Sequence, residues 1–404
     1  MPPPDETQLS VRLVTALAGL DAARWDACAT GHGCIDSESQ EEPDNPFLSH
    51  DFLAALEVSG CVDGRSGWQS AHLIVEREPG SMLAAAPCYL KSHSRGEYVF
   101  DASWADAYER AGGHYYPKLQ VAVPFTPVTG PRLLVAPGPD RALARQALIQ
   151  GLAALRRQLG ASSTHVTFAT HAEAEHLEQA GYLLRTDQQF HWFNEGYADF
   201  DAFLAALSSR KRKVIHRERR DALEGGITID CLTGTDITEA HWDAFFSFYM
   251  DTGSRKWGRP YLNRRFFSEV GARMAARILL VMAKRNGRYI AGAINFLGRH
   301  TLYGRNWGCI EQHPFLHFEV CYYQAIDFAI TRGLKRVEAG AQGEHKLARG
   351  YRPVLTWSAH DIADPGLRRA VANYLVRERD YVEAAQSELD AYLPFRKGAV
   401  AETE

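Results

Sequence analysis

A group of chemically mixed reactive side chains lies between residues 338 and 349. Glu338, Glu344, His345, Lys346 and Arg349 fall there, among Gly340, Gln342 and Gly343. A strand running into Glu338-Ala-Gly-Ala-Gln-Gly ends in permissive backbone, and α/β sheets present ligands at strand C-terminal ends. These residue types suit acyl transfer to an amine. Glu338, Glu344 or His345 can accept the amine proton. Lys346 can hold the oxyanion of a tetrahedral intermediate. Gln342 and Arg349 are then substrate-binding residues. The plainer alternative is a surface loop with ordinary charges.

A second concentration is purely basic. Arg210, Lys211, Arg212, Lys213, Arg217, Arg219 and Arg220 fall within eleven residues, with Glu218 the one acid among them. Leu207, Val214 and Leu223 share a helical face, Ser208 or Ser209 is placed to cap, and Gly225-Gly226 to terminate. Crowded like charges destabilise such a helix unless an anion neutralises them. Arg210, Lys211, Lys213 and Arg217 are therefore expected to bind phosphate. A solvated helix between domains is the alternative.

His313, His317 and Glu319 lack the spacing of a metal site, and the His-x-Glu has no downstream Pro-Cys-x-x-Cys. No metal is expected. His317 and Glu319 are read instead at a helix N-terminus, lining a pocket, where an acid also suits the helix dipole. Arg305 and Trp307, near a strand end, extend that lining. Tyr98, Phe100, Trp104, Tyr108, Tyr115, Tyr116 and Phe125 crowd a third region. They form either a packed flap or a wall of the substrate cleft, to which Trp104 and Lys118 would belong.

The whole chain sets bounds on these readings. Its 404 residues suit two domains of about 150–200 residues each. Hydrophobic residues make up 46% and charged residues 23%, which is globular composition. With 45 basic and 49 acidic residues the formal charge is −4. A polycation is excluded, so an anionic partner needs a local patch. DNA is not an expected partner. The N-terminal Met1-Pro-Pro-Pro lacks the features of a signal peptide, and no window approaches the roughly 18–20 apolar residues of a membrane span. Seven cysteines, none in a Cys-x-x-Cys pair, read as reduced thiols of a cytoplasmic protein.

Periodicity places the elements. Strands are expected at Ser10–Val14, Ala71–Arg77, Met82–Lys91, His165–Phe168 and Tyr182–Phe193. Helices are expected at Pro139–Leu159, capped by Asp140 and ended by Gly160, and at Ala172–Gln179. The second half predicts a helix at Tyr261–Ala276 and strands at Ile278–Lys284, Tyr289–Leu297 and Thr301–Cys309. A helix at Phe318–Arg332, strands at Arg336–Ala339 and Val354–His360, and helices from Pro365 to Leu393 follow. The halves run in parallel: His72-Leu-Ile-Val-Glu-Arg-Glu-Pro-Gly matches Leu279-Leu-Val-Met-Ala-Lys-Arg-Asn-Gly, and Gly181-Tyr182 matches Gly350-Tyr351. A diverged internal duplication is the preferred reading.

The order of antiparallel pair, helix, strand and late strand is that of the GNAT acyltransferase fold. Two such units resemble the Fem-type aminoacyltransferases, and the chain is most similar to the FemAB-like branch of predicted N-acyltransferases. The residues carrying the resemblance are Leu207-Ser-Ser-Arg-Lys-Arg-Lys-Val-Ile-His-Arg-Glu-Arg-Arg, Trp307-Gly-Cys and Leu316-His-Phe-Glu-Val-Cys-Tyr-Tyr-Gln. With them go Glu338-Ala-Gly-Ala-Gln-Gly-Glu-His-Lys-Leu-Ala-Arg-Gly-Tyr and, in the first half, Tyr116-Pro-Lys-Leu-Gln-Val-Ala-Val-Pro. The resemblance implies an α/β (α+β) chain of two tandem GNAT-like units, 10–195 and 196–395. Each would be a mixed, mainly antiparallel sheet with flanking helices, the second carrying the active site. It implies transfer of an amino acid from aminoacyl-tRNA to a peptidoglycan precursor, and contact of the basic helix with a diphosphate or tRNA backbone. A Lys beside a Gly-aromatic pair belongs to the Fem-type pattern, and Lys346 before Gly350-Tyr351 matches it.

Neither half shows the (Arg/Gln)-x-x-Gly-x-(Gly/Ala) loop with which acetyl-CoA enzymes hold pyrophosphate at a helix N-terminus. Gly-x-Ser-x-Gly and the P-loop are also absent. No cofactor is firmly implied. Aminoacyl-tRNA or acyl-CoA is the donor to consider, with a small-molecule or nucleotide-linked acceptor. Two other readings stay open: a non-catalytic ligand-recognition protein of the same fold, and a CoA-dependent N-acetyltransferase with a degenerate loop.

Overall fold

A computed structural model describes residues 9–31, 44–256, 260–340 and 343–396. Cys34, Gln342 and the Glu344 side chain lie outside the described parts. In chain order the strands are β1 (Ser10–Val14), β2 (Trp68–Ser70), β3 (His72–Glu76), β4 (Met82–Ala86), β5 (Cys88–Lys91), β6 (Lys118–Val121), β7 (Leu134–Val135) and β8 (Ser163–Ala169). They continue as β9 (Leu183–Phe193), β10 (Ile227–Thr233), β11 (Ile278–Arg285), β12 (Arg288–Leu297), β13 (Thr301–Cys309), β14 (Arg336–Glu338) and β15 (Arg352–Ile362). The helices are α1 (Ala22–Thr30), α2 (His50–Val58), α3 (Ala102–Arg110), α4 (Arg141–Gln158), α5 (His171–Gln179) and α6 (Phe200–Ala206). After them come α7 (Ser209–Ala222), α8 (Glu239–Lys256), α9 (Arg264–Met274), α10 (Leu316–Phe318), α11 (Gln324–Thr331) and α12 (Pro365–Ala391).

By contact the residues form two compact units, Met1–Asp187 with Thr356–Tyr381, and Gln188–Leu355 with Val382–Glu404. Neither is one continuous stretch, unlike the expected 10–195 and 196–395. The reason is strand pairing. Trp357–Ile362 of β15 pairs antiparallel with β8, while His191–Phe193 of β9 pairs antiparallel with β14. The linear division remains a proposal about duplicated segments.

In the first unit β1-β3-β4-β7 form one antiparallel sheet, and β15-β8-β6-β5-β2 run in a second order. The strand expected over Met82–Lys91 is two strands, because Pro87 lacks the N–H that would continue the ladder. β4 joins the first sheet and β5 the second. β6 and β8 are parallel, and α4 lies in the crossover between them, as a parallel connection requires. The apolar face of α4, Ala144, Leu148, Leu152 and Leu155, packs with Val75, Ala84 and Val166. Asp140 precedes α4 but makes no cap bond. Its carboxylate pairs with Arg77 at 2.8 Å instead.

The second unit has the order β10-β11-β12-β13-β14-β9. Its pairs are antiparallel except β13 with β14. Asn286 and Gly287 both take positive φ, 51° and 77°, as a two-residue hairpin turn demands. Helix α8, not anticipated from the sequence, buries Trp242, Phe245, Phe248 and Tyr249. It can sit on β13 because of Gly308, where a Cβ would collide with the Phe248 backbone. The helix expected over Phe318–Arg332 is α10, a π-helical turn at Glu319–Tyr323, then α11. Gly333, at φ 65°, closes it.

Candidate active site

Strands β13 and β14 pair for three residues only, Thr301↔Arg336 to Tyr303↔Glu338. Beyond that, β13 stays with β12 as far as Cys309, while the chain after Glu338 leaves the sheet. The two strands therefore splay. The register passes from Asn295↔Gly304 to Ile294↔Asn306, so Arg305 is the extra residue of a bulge. Bulges re-aim side chains and are common beside active sites. The π-helical turn lies on the segment following β13, and such insertions are likewise frequent at functional sites.

Lys346 comes from a 3-10 turn, Glu344–Arg349. Its side chain is buried, and Nζ donates to the Gly340 carbonyl at 2.9 Å. Burial pushes its pKa down to about 7, with Cys321 opposing and Arg305 adding to the fall. His345 is exposed, and its Nε2 is 2.9 Å from the Tyr322 hydroxyl. Gly343 starts the turn at φ 120°, and a Cβ there would lie 2.5 Å from the His345 ring. His317 stands 5.2 Å from Trp307 and 6.3 Å from His345, ring to ring. Beside them is a cavity of about 340 Å³, lined by Trp307, Cys309, His313 and His317, with Thr252 and Arg255 from α8. Thr252 accepts from the Cys309 N–H at 3.1 Å and Arg255 donates to the Cys309 carbonyl at 3.0 Å, which fixes α8 to the end of β13. Lys346, His345, His317, Trp307 and Arg305 are thus associated in one region.

Other expected site residues serve to hold that region rather than line it. Arg349 is buried, and its Nη2 donates to both Glu218 oxygens at 2.9 Å. Its Nη1 donates to the His345 carbonyl at 2.8 Å, and the guanidinium lies 3.4 Å over the Phe318 ring. Glu319 is fully buried and accepts from Arg219 Nε and Nη2 at 3.1 and 3.0 Å, and from Gln324 at 2.7 Å. Glu338 is buried on β14, 3.2 Å from Arg336 and 3.8 Å from His191. Substrate would have to displace these partners to reach Arg349, Glu319 or Glu338.

The basic helix divides in the same way. Its buried face is Ile215, Glu218 and Ala222; Val214 is half-buried and Leu223 exposed. Ser208 makes no side-chain cap bond. Glu218 does not offset the basic run: it takes Arg349 and the Tyr323 hydroxyl. Arg219 turns to Glu319 and Arg220 to Asp221. Among the described residues Arg210, Lys211, Lys213 and Arg217 form no ion pair, and Arg210, Lys213 and Arg217 are exposed.

In the first unit the expected cleft wall is interior. Lys118 is fully buried, its ammonium donating to Ser94 at 2.8 Å, Glu97 at 2.7 Å and Asp101 at 2.5 Å. All three donors are committed, so Lys118 has none left for substrate. Burial works against the Asp101 charge, yet Lys118 holds that carboxyl below its ordinary range. Tyr115 donates to Asp101 at 2.7 Å. Trp104 is buried, its ring 5.0 Å from His360. His360 and His165 meet Nδ1 to Nδ1 at 2.7 Å, and burial pushes His165 down to about 3.

Sequence reasoning missed Tyr322, Phe318, Thr252 and Arg255. Phe318 precedes the π-helical turn and Tyr322 lies within it, and that turn shifts the helical phase by one residue and hides which side chains share a face. Thr252 and Arg255 belong to the unanticipated helix.

Two sheet units, each with one parallel strand pair beside an otherwise antiparallel order, make the tandem GNAT arrangement. The chain belongs to the FemAB-like family, described as one of peptidoglycan biosynthesis or recognition, whose profile matches residues 16–397. It is similar to the crystal structure of FemX, with 12% identity over 87% of this chain and 98% of that one, at TM-score 0.54. A conserved protein of unknown function from Bacteroides thetaiotaomicron is 12% identical over 88% of this chain and 100% of its own, at TM-score 0.50. A tandem GNAT protein from the clavulanic acid biosynthesis pathway matches 89% of this chain and 99% of its own at 12% identity and TM-score 0.48. At these identities the likeness to FemX and to the Bacteroides protein speaks for the fold alone. No curated protein matches the chain. Among the described residues no helix is long and apolar enough to cross a membrane.

Proposed function

We propose that the chain moves an acyl or aminoacyl group from an activated ester or thioester to an amine on a peptidoglycan-related or nucleotide-linked acceptor. The centre lies in the second unit. The amine nitrogen attacks the acyl carbon, and the Lys346 ammonium holds the oxyanion that forms. His345 Nε2, or Glu344, accepts the amine proton as the new C–N bond is made. The tetrahedral intermediate then expels the donor oxygen or sulfur, which leaves protonated. Arg210, Lys211, Lys213 and Arg217, which form no ion pair among the described residues, bind phosphates of the donor or acceptor. The missing pyrophosphate loop favours aminoacyl-tRNA over acyl-CoA as donor.

The observation that carries this reading is Lys346: a buried amine on a loop at the strand splay, beside an exposed imidazole. Its test is a panel of aminoacyl-tRNAs and acyl-CoAs with amine acceptors, run on the native chain and on Lys346→Ala. Loss of an oxyanion donor typically lowers rate by about 10²–10³. Full turnover by Lys346→Ala would remove that residue from the chemistry. The family description also covers recognition, and saturable acceptor binding without turnover for any donor would favour that second reading.

A further inference from the structure

A larger groove lies in the first unit, between α4 and α5, and acyl transfer in the second unit makes no use of it. Its volume is about 680 Å³. Three arginines line it, Arg145, Arg156 and Arg157, against one carboxylate, Asp361. Arg156 Nε donates to Asp361 at 3.1 Å, so that charge is matched. Arg157 is exposed and forms no ion pair among the described residues. Arg145 is braced by a neutral group. His176 Nδ1 lies 2.6 Å from the Ala172 carbonyl and must carry the proton there, which leaves Nε2 to accept from Arg145 at 3.0 Å. The Arg145 charge is disfavoured by burial and by Arg141 and only partly offset by the field of Glu173, and among the described residues it forms no ion pair.

An independent feature points into the same groove. Tyr182 lines it, yet is buried at 6% exposure, and its hydroxyl has no hydrogen-bond partner among the described residues. Buried polar groups are normally paired. Burial and the nearby Asp361 push the Tyr182 ionisation up, so the hydroxyl remains a donor. Ile149 and Ala153 give the groove an apolar floor between its charged ends. Arg145 and Arg157 are twelve residues apart, roughly 18 Å along a helix.

We propose that this groove binds an organic phosphate monoester. The phosphate sits at the end formed by Arg157, Tyr182 and the Nη groups of Arg156, whose Nε alone is given to Asp361, and the carbon body lies over Ile149 and Ala153 towards Arg145. Three donor groups suit the three terminal oxygens of a phosphate, and arginine matches that geometry. A carboxylate offers only two.

The test is a calorimetric titration of the full chain with phenyl phosphate, inorganic phosphate and benzoate. Saturable binding of phenyl phosphate, tighter than inorganic phosphate and benzoate, is expected with Kd below about 1 mM. Tyr182→Phe removes a hydroxyl that bonds to none of the described residues, so thermal unfolding should hold or improve while phenyl phosphate affinity falls about tenfold. Arg157→Gln, at an exposed position, should weaken binding and its salt dependence together. The proposal is overturned if phenyl phosphate does not saturate, if both variants bind it as the native chain does, or if benzoate binds equally well.

Discussion

Among the described residues Lys346 Nζ has one hydrogen-bond partner, the Gly340 carbonyl, and burial lowers its pKa from 10.5 to about 7. Between those values the unfolded chain holds a proton that the native chain has released. Stability therefore rises with pH through that window, and the full penalty applies below about 7. Lys346→Met should stabilise the protein by about 1–3 kcal/mol at pH 6, with the gain shrinking towards pH 10, because burial penalises the charged ammonium alone. Urea unfolding at the two pH values measures this; an equal gain at both would mean Lys346 does not titrate between them. If the ammonium holds the oxyanion, kcat should decline above pH about 7, and Lys346→Arg should carry that decline to higher pH. A rate that rises through this pH instead would make Lys346 the base. As a chemical group Lys346 was legible in the sequence. What sequence did not show is which neighbouring charges are committed elsewhere. Arg349 and Glu218 are 131 residues apart, and Arg219 and Glu319 are 100 apart. Pairing at such distances leaves no local pattern, so Arg349 and Glu319 read from sequence as free charges. The pairing of Lys118, whose partners Glu97 and Asp101 are 21 and 17 residues away, was hidden because no helical or strand period links them.

At the scale of elements, α7 acts as a brace as well as a basic surface. Glu218 ties it to the turn bearing Lys346 through Arg349, and to the π-helical turn through Tyr323. Breaking a buried pair strands the remaining charge, so Glu218→Ala should cost about 3–5 kcal/mol. Arg217→Ala, on the exposed side of the same helix, should stay within about 0.5 kcal/mol. Denaturant midpoints of the two variants distinguish a brace from a merely solvated helix, for which both costs would be small. The exposed cations make a separate prediction. Replacing Lys211, Lys213 and Arg217 with Gln should reduce the log–log salt slope of tRNA binding by roughly 0.7–0.9 for each phosphate no longer neutralised. An unchanged slope would leave the basic run as solvated surface. The helix itself was legible because its breakers and length are local signals. Its buried face was not, since the residue that sets it is an acid, Glu218, paired across the fold. Helix α8 was hidden for another reason: its aromatic run, Trp242 to Tyr249, has the residue types that also favour strands.

For the whole molecule, the repeated order of strand pair, helix and strand was visible in the sequence, but the reciprocal use of late strands was not. β15 follows the second half in the chain, yet its Trp357–Ile362 segment completes the first unit by pairing with β8. Behind it, Leu367, Val371 and Leu375 of α12 pack with Trp104, Tyr115 and Ile362 in a core of that same unit. His360 supplies the partner of buried His165. A fragment ending at residue 195 loses all of these. It would expose β8 as an unpaired apolar edge, the kind of edge that drives aggregation, and would leave His165 Nδ1 without His360, while the Nε2 contact to Ser163 is kept. Such a fragment should therefore fail to unfold cooperatively in urea and should lack dispersed amide resonances. A fragment of residues 9–187 joined by a flexible linker to 356–381 should recover both, since it holds the strand, the helix face and the histidine together. If the 9–195 fragment alone folds cooperatively, the first half is self-sufficient and the late strand only covers it. If the linked fragment stays unfolded, the unit needs more than the contacts that define it.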